Sequence, residues 1–224
     1  MPPNPSASPK RIFLVDDHPL VREWLTNLIN QQPGLRVCGE AENGQEARER
    51  IFDLRPDVAI VDISLKDSSG IELIKDLKRG CPEVAVLVLS MHEEPHYAER
   101  ALRAGARGYV MKRETTKKVI TAINQVLAGK LCVSETVAAA MASQFVEGKT
   151  LATNSPVEQL SDRELEVFEM LGQGRTTRQI AETLHLSLKT VQAYCARVKE
   201  KLNLTSATEL LREAVRWQEN AKRG

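Results

Sequence analysis

Between Arg11 and about Leu127 the chain alternates short apolar runs with amphipathic stretches. The runs are IFLV (12–15), LRVCGEA (35–41), VAIV (58–61), VAVLVL (84–89) and GYVM (108–111). Most are β-branched and continuous, the pattern of strands buried on both faces. Between them apolar residues recur at helical spacing: Leu20, Trp24, Leu25 and Leu28 stripe the first stretch, and Ile71, Leu73, Ile74 and Leu77 the third. Five strands alternating with five helices predict an α/β domain, a five-stranded doubly wound parallel sheet with right-handed crossovers.

After Lys130 the strand pattern stops. Ser134 to Phe145 predicts one short helix, and residues 147–159 (EGKTLATNSPVEQ) have the composition of a linker. From Leu160 everything reads as helix. Ser161-x-x-Glu164, Thr176-x-x-Gln179 and Ser206-x-x-Glu209 each fit a capping box, and Ser187 caps a helix running to about Leu202. Four short helices make a small all-α domain whose second and third members have the layout of a helix-turn-helix. The predicted organisation is a tail over 1–10, an α/β domain over 11–128, a linker with a short helix over 129–158, and a helical domain over 159–224.

Composition narrows the function classes. The 224 residues carry 31 basic and 30 acidic side chains, a net +1, so no global field points to nucleic acid or membrane. Aromatics make up 4%, too few for a base-stacking surface. Cys38, Cys81, Cys132 and Cys195 include no CxxC pair, which argues against a structural zinc site or a disulfide framework and fits a reducing cytosol. No apolar run approaches the roughly 18 residues of a bilayer span, and MPPNPSASPK lacks an apolar signal core. The expectation is a soluble cytoplasmic protein with no membrane partner.

In open α/β sheets the site lies at the carboxyl ends of the strands. Here the first strand ends in Asp16-Asp17, the third in Asp62, the fourth in Ser90 and the fifth, after Tyr109, in Lys112. Three convergent carboxylates repel one another unless a cation joins them, and hard Mg²⁺ with oxygen ligands suits them. A hydroxyl and an ammonium beside them suit a phosphoryl group at Asp62. Singly, each residue has an ordinary role: the aspartates as turn formers, Ser90 as a cap with Glu93, Lys112 as a solvated lysine. Their joint occurrence at four strand ends favours the chemical role.

At this point residues 11–128 resemble a response-regulator receiver domain with the flavodoxin-like strand order, through VDDHPLVRE, VDISLKDSSGIELI, VLVLSMHEE and ARGYVMK. The resemblance implies that Asp62 is the phosphoacceptor, that Asp16 and Asp17 hold Mg²⁺ with the Ser64 backbone carbonyl, and that Lys112 pairs with the acyl phosphate. It also implies that Ser90 bonds a phosphoryl oxygen and that Tyr109 is an aromatic switch, although Tyr109 also fits an ordinary edge aromatic. The chain departs from the family in carrying Lys66 and Arg113 where proline is frequent. His18, directly after the acidic doublet, has two readings, a place near the metal and, preferred, a helix-entry role; His185 is expected in a surface turn.

On the helix from Ser187 to Leu202, Val191, Cys195, Val198 and Leu202 form one apolar stripe. The opposite side carries Lys189, Gln192, Ala193, Ala196, Arg197 and Glu200. Small Ala193 and Ala196 permit close approach, Gln192 suits an adenine edge, and Lys189, Arg197 and Lys201 suit phosphates. Six basic against two acidic residues over 175–201, and five acidic against one basic over 158–169, predict a polarised domain.

The segment from Leu160 to Leu204, including SLKTVQAY and KEKLNL, resembles the LuxR-type helix-turn-helix. With the receiver before it, the chain looks like a NarL/FixJ-type response regulator. That implies Gln192, Ala193 and Ala196 at base edges, and Lys189, Thr190, Tyr194, Arg197 and Lys201 at the DNA backbone. It further implies a sensor histidine kinase, double-stranded DNA, and a homodimer through the last helix, with Leu210, Leu211, Ala214 and Trp217 as its apolar face. The expected protein is a regulator and not an enzyme. Two alternatives are a phosphorylation-independent DNA binder and a Mg²⁺-dependent aspartate phosphatase, whose usual motif places two aspartates two apart.

Overall fold

The five apolar runs form β1 (Lys10–Val15), β2 (Leu35–Ala41), β3 (Val58–Val61), β4 (Ala85–Ser90) and β5 (Gly108–Met111). All neighbours pair in parallel, in the order β2-β1-β3-β4-β5. The computed structural model describes residues 8–65, 69–91, 96–146, 156–184 and 186–221, so Lys66, His92, Glu93, His185, the first seven residues and residues 147–155 lie outside the described residues. The chain divides into two units, Met1–Lys149 and Thr150–Gly224.

The crossovers are α1 (Pro19–Asn30), α2 (Gly44–Leu54), α3 (Gly70–Gly80), α4 (His96–Ala104) and α5 (Thr116–Leu127). Strand alternation divides the core in two. Ile12, Leu14, Val58, Ile60, Leu87, Leu89 and Val110 point to one face, where they meet Leu25 and Ile29 of α1 and Val119, Ala122, Ile123 and Val126 of α5. Phe13, Ala59, Val61, Val86, Val88 and Tyr109 are equally buried on the other face. Each large side chain so buried contributes on the order of 1.5–3 kcal/mol.

The two helical stripes read from the sequence fare differently. In α3 all four stripe residues are buried, but in α1 only Leu25 is: Leu20 is 79% exposed and Trp24 lies at the surface. Pro19 starts that helix one residue before Leu20, and burial in α1 begins only at Leu25 and continues at Ile29. After α5 the chain returns along the free edge of β5, where Cys132 bridges Gly108. The Tyr109 N–H donates to the Cys132 carbonyl (2.8 Å) and the Cys132 N–H to that of Arg107 (3.0 Å), covering an otherwise unpaired strand edge. Helix α6 (Glu135–Val146) follows, with Val137 buried.

The second unit holds a 3-10 turn (Pro156–Gln159) and α7 (Asp162–Gly172), α8 (Thr177–Thr183), α9 (Leu188–Lys201) and α10 (Ala207–Ala221). The capping boxes at Ser161/Glu164 and Thr176/Gln179 form both reciprocal bonds. At α10 only half forms. Ser206 accepts the Glu209 N–H (3.1 Å), but the Glu209 carboxylate turns to the Thr205 N–H (2.7 Å) and hydroxyl (2.9 Å). The apolar face expected on α10 also divides. Leu210 and Ala214 are buried and Trp217 packs on Phe168 at 6.0 Å, whereas Leu211 and Val215 are exposed.

Candidate functional site

The site is assembled by strand register. Val15 of β1 pairs with Val61 of β3, and the Asp62 N–H donates to the Val15 carbonyl (2.8 Å). The next residues of both strands, Asp16 and Asp62, therefore emerge side by side. On the other flank the Lys112 N–H donates to the Ser90 carbonyl (2.7 Å), fixing the end of β5 beside that of β4.

Asp16, Asp17 and Asp62 are all buried, as are Ser90 and Tyr109. Lys112 Nζ lies 2.6 Å from Asp16 Oδ2 and 2.7 Å from Asp62 Oδ2, with its side chain 8% exposed. Burial pushes this ammonium's pKa down, but Asp62 and Asp16 outweigh it and hold the pKa above the ordinary lysine value. Lys112 takes this position with Arg113, not proline, following it.

The remaining carboxylate oxygens order the loops. Asp62 Oδ1 accepts the Ser64 N–H (3.2 Å) and Asp16 Oδ1 that of His18 (2.9 Å). Buried Asp17 Oδ1 has no hydrogen bond among the described residues, though His18 Nδ1 lies 2.7 Å away. Donor atoms of Asp16, Asp17, His18 and Asp62 all fall within 4.8 Å of one another. A buried anionic oxygen without a donor costs free energy that a bound cation removes. The three carboxylates therefore fit an oxygen-bound divalent ion.

Two residues that shape the pocket escape sequence reasoning. Arg22 Nη1 donates to the Asp16 carbonyl (2.6 Å) while its Nε reaches Glu40 (3.0 Å), bracing the β1–α1 turn. Gly70 opens α3 directly beneath Asp62: a Cβ there would stand 2.2 Å from the Asp62 carbonyl oxygen. The signals were present as an arginine one turn into α1 and a glycine at a helix start, but neither pattern is specific.

In the second unit Val191 and Val198 of α9 are fully buried, while Cys195 and Leu202 are half-buried. Lys189, Gln192, Ala193, Ala196 and Arg197 are exposed along the opposite face. Thr190 and Tyr194 flank it half-buried, the Thr190 hydroxyl 2.7 Å from that of Ser187, and Arg197 stacks over the Tyr194 ring at 5.8 Å. Lys201 stands apart from this set. It donates to Glu164 Oε2 (2.6 Å) and to the Gln159 carbonyl (3.1 Å), so the ammonium is engaged inside the domain.

The polarity expected from local charge is corrected in the same way. Asp162, Glu164 and Glu166 are buried, Glu164 is paired with Lys201 and Glu166 with Arg163 (2.6 Å), so the acidic run is not a surface patch. Burial pushes the Glu164 carboxyl up, but the hydrogen bonds from Lys201 and the Ser161 N–H outweigh it and hold it below the usual glutamate range.

A parallel sheet with a lysine drawn onto two strand-end carboxylates, followed by a helix-turn-helix with an exposed polar face, defines a signal-receiving domain coupled to a DNA-binding domain. Residues 12–124 match the family described as Response regulator receiver domain, and residues 158–214 that described as Bacterial regulatory proteins, luxR family. The chain is 34% identical over 206 residues to the response regulator GacA of Pseudomonas aeruginosa, covering 92% of this chain and 95% of that one. It is 31% identical over 210 residues to the oxygen regulatory protein NreC of Staphylococcus carnosus, with 92% and 97% covered. Among solved structures, RcsB from Salmonella enterica serovar Typhimurium, bound to promoter rprA in the presence of phosphomimetic BeF3⁻, matches with a TM-score of 0.56, 25% identity, and 92% and 98% coverage.

The chain belongs to the response regulator family, as a two-component regulator of transcription with a luxR-type DNA-binding domain. The receiver domain implies a histidine kinase partner and the luxR-type domain implies DNA binding. Among the described residues no helix is long and apolar enough to cross a membrane.

Proposed function

We propose that a histidine kinase transfers a phosphoryl group to a carboxylate oxygen of Asp62, and that the resulting acyl phosphate controls DNA binding through α9. The observation that carries this reading is the placement of Lys112 Nζ between Asp62 and Asp16 at the carboxyl edge of the sheet. An ammonium there neutralises the charge that a phosphoryl group brings, and phosphoryl transfer rests mostly on positioning and electrostatics. Asp16, Asp17, Asp62 and the Ser64 carbonyl hold Mg²⁺, which when bound shields the incoming phosphoryl oxygens.

Ser90 bonds one phosphoryl oxygen and Tyr109 transmits its movement to the face formed by α4 and β5. At the other end Gln192, Ala193 and Ala196 meet base edges. Lys189, Thr190, Tyr194 and Arg197 meet the backbone. Exposed Leu211 and Val215 on α10 supply the contact of a homodimer reading two half-sites about one DNA turn apart. The protein acts in the cytoplasm, as a regulator and not as a phosphatase.

The test is intact mass after incubation with Mg²⁺ and a small-molecule phosphodonor, with Asp62→Asn alongside. A single labile phosphoryl adduct absent from the variant is the expected result, followed by phosphate-dependent DNA binding in a mobility-shift titration. An adduct retained by Asp62→Asn, or turnover of a generic phosphomonoester, overturns the reading.

A further inference from the structure

His18 occupies the N-cap position of α1, yet its side chain makes no capping hydrogen bond. The imidazole turns instead over the acidic doublet, with Nδ1 3.2 Å from Asp16 Oδ1 and 2.7 Å from Asp17 Oδ1. The main chain beneath it is anchored to the same carboxylate, since the His18 N–H donates to Asp16 Oδ1 at 2.9 Å. Two ligand atoms bound at about 2.1 Å to one ion stand roughly 3 Å apart. The spacing of His18 Nδ1 from both carboxylate oxygens therefore matches the edge of a coordination shell. Asp17 Oδ1 is buried and has no hydrogen bond among the described residues, so its one close polar neighbour among them is this same Nδ1, at ion-pair distance. The imidazole is 60% exposed, so the shell stays open to ions from solvent.

We propose that His18 is a nitrogen ligand at this pocket, which thereby takes imidazole-preferring divalent transition metals such as Ni²⁺, Co²⁺ and Zn²⁺ in a mode that Mg²⁺ does not use. Mg²⁺ prefers oxygen ligands and keeps its waters, whereas imidazole nitrogen suits these later metals. The receiver is then sensitive to which divalent ion fills it, and a transition ion competes directly with the ion that supports phosphorylation. The inference rests on the reading of this pocket as a cation site.

Isothermal titration of the full chain with Ni²⁺, and separately with Mg²⁺, tests it in wild type and His18→Ala, with Mg²⁺ competition to place the bound Ni²⁺. Ni²⁺ affinity is expected to fall about tenfold or more in the variant while Mg²⁺ affinity stays within about twofold. The unchanged Mg²⁺ affinity also shows that the variant's pocket is folded. Unchanged Ni²⁺ affinity, a parallel loss of both ions, or Ni²⁺ that Mg²⁺ cannot displace from a wild type that binds both overturns the inference. Ni²⁺ bound through His18 in a chain that does not bind Mg²⁺ would keep the inference and overturn the magnesium reading instead.

Discussion

Lys201, at the end of α9, reaches back 37 residues to donate to Glu164 in the first turn of α7 at 2.6 Å. Since Glu164 also accepts the Ser161 N–H (2.7 Å), one carboxylate joins the start of the domain to the far end of its DNA-reading helix. This pairing predicts that Lys201 positions α9, where the family resemblance implied a phosphate contact. Lys201→Ala should weaken DNA binding with the slope of log affinity against log salt unchanged, and lower domain stability by about 1–2 kcal/mol. That figure is discounted from a fully buried pair because the ammonium is more than a third exposed. Lys189→Ala, on the exposed face, should lose about one unit of salt slope. Equal slope losses for both variants would return Lys201 to the phosphate-contacting set.

The same carboxylate sets an acid limit on the second domain. Its pKa is held below the ordinary glutamate value of 4.5, so the folded state gains stability above that pH and loses it as pH falls through the depressed value. Trp217, packed on Phe168, reports this transition by fluorescence in a Trp24→Phe background. Glu164→Gln should be less stable at neutral pH and show a flatter stability profile below about pH 4.5. A variant profile parallel to wild type would assign the acid transition to other carboxylates.

Lys112 is a cation shared by Asp16 and Asp62 at the strand ends. Lys112→Met leaves Asp16 and Asp62 buried without their shared cation, at a cost of about 3–5 kcal/mol in metal-free buffer. Mg²⁺ should restore more stability to this variant than it adds to wild type, since it then relieves carboxylate repulsion as well as binding its own site. Urea unfolding with and without Mg²⁺ measures both increments. Equal increments would mean that Lys112 and the ion do not share these carboxylates.

The strands and their terminal carboxylates were legible because parallel sheets demand uninterrupted apolar runs, and the residue after each run must emerge at the same edge. Leu35–Ala41, Val58–Val61 and Gly108–Met111 begin and end where the sequence pattern does. Hydrophobic spacing failed where a helix face has more than one neighbour or none. Leu20 falls in the stripe of α1 but sits beyond the sheet's reach, and Leu211 adjoins buried Leu210 but points outward. Long-range pairs were not legible at all: nothing near Lys201 announces Glu164, and counting charges along the sequence could not show that the acidic run of α7 is internal. His18 lay beside the doublet in plain sight. It does start α1, as its position suggested; the turn of its imidazole towards Asp16 and Asp17 was not legible in the sequence.

Gly70 packs directly against the main chain of Asp62 and Ile63. Its N–H donates to the Ile63 carbonyl (3.0 Å), bringing the start of α3 against the backbone that follows β3. A Cβ at this position would lie 2.2 Å from the Asp62 carbonyl oxygen and 2.7 Å from Ile63 Cα, and both obstacles are main chain with no rotamer to yield. Gly70→Ala must therefore displace either α3 or the Asp62 peptide. A shift of about 1 Å at a reacting group costs on the order of a hundredfold in rate. The variant should accept phosphate from a small donor about a hundredfold more slowly, while DNA binding by the unphosphorylated chain stays at the wild-type level. Phosphorylation at the wild-type rate would show that the α3 start can retreat without moving Asp62, and that the close approach of Gly70 serves packing alone.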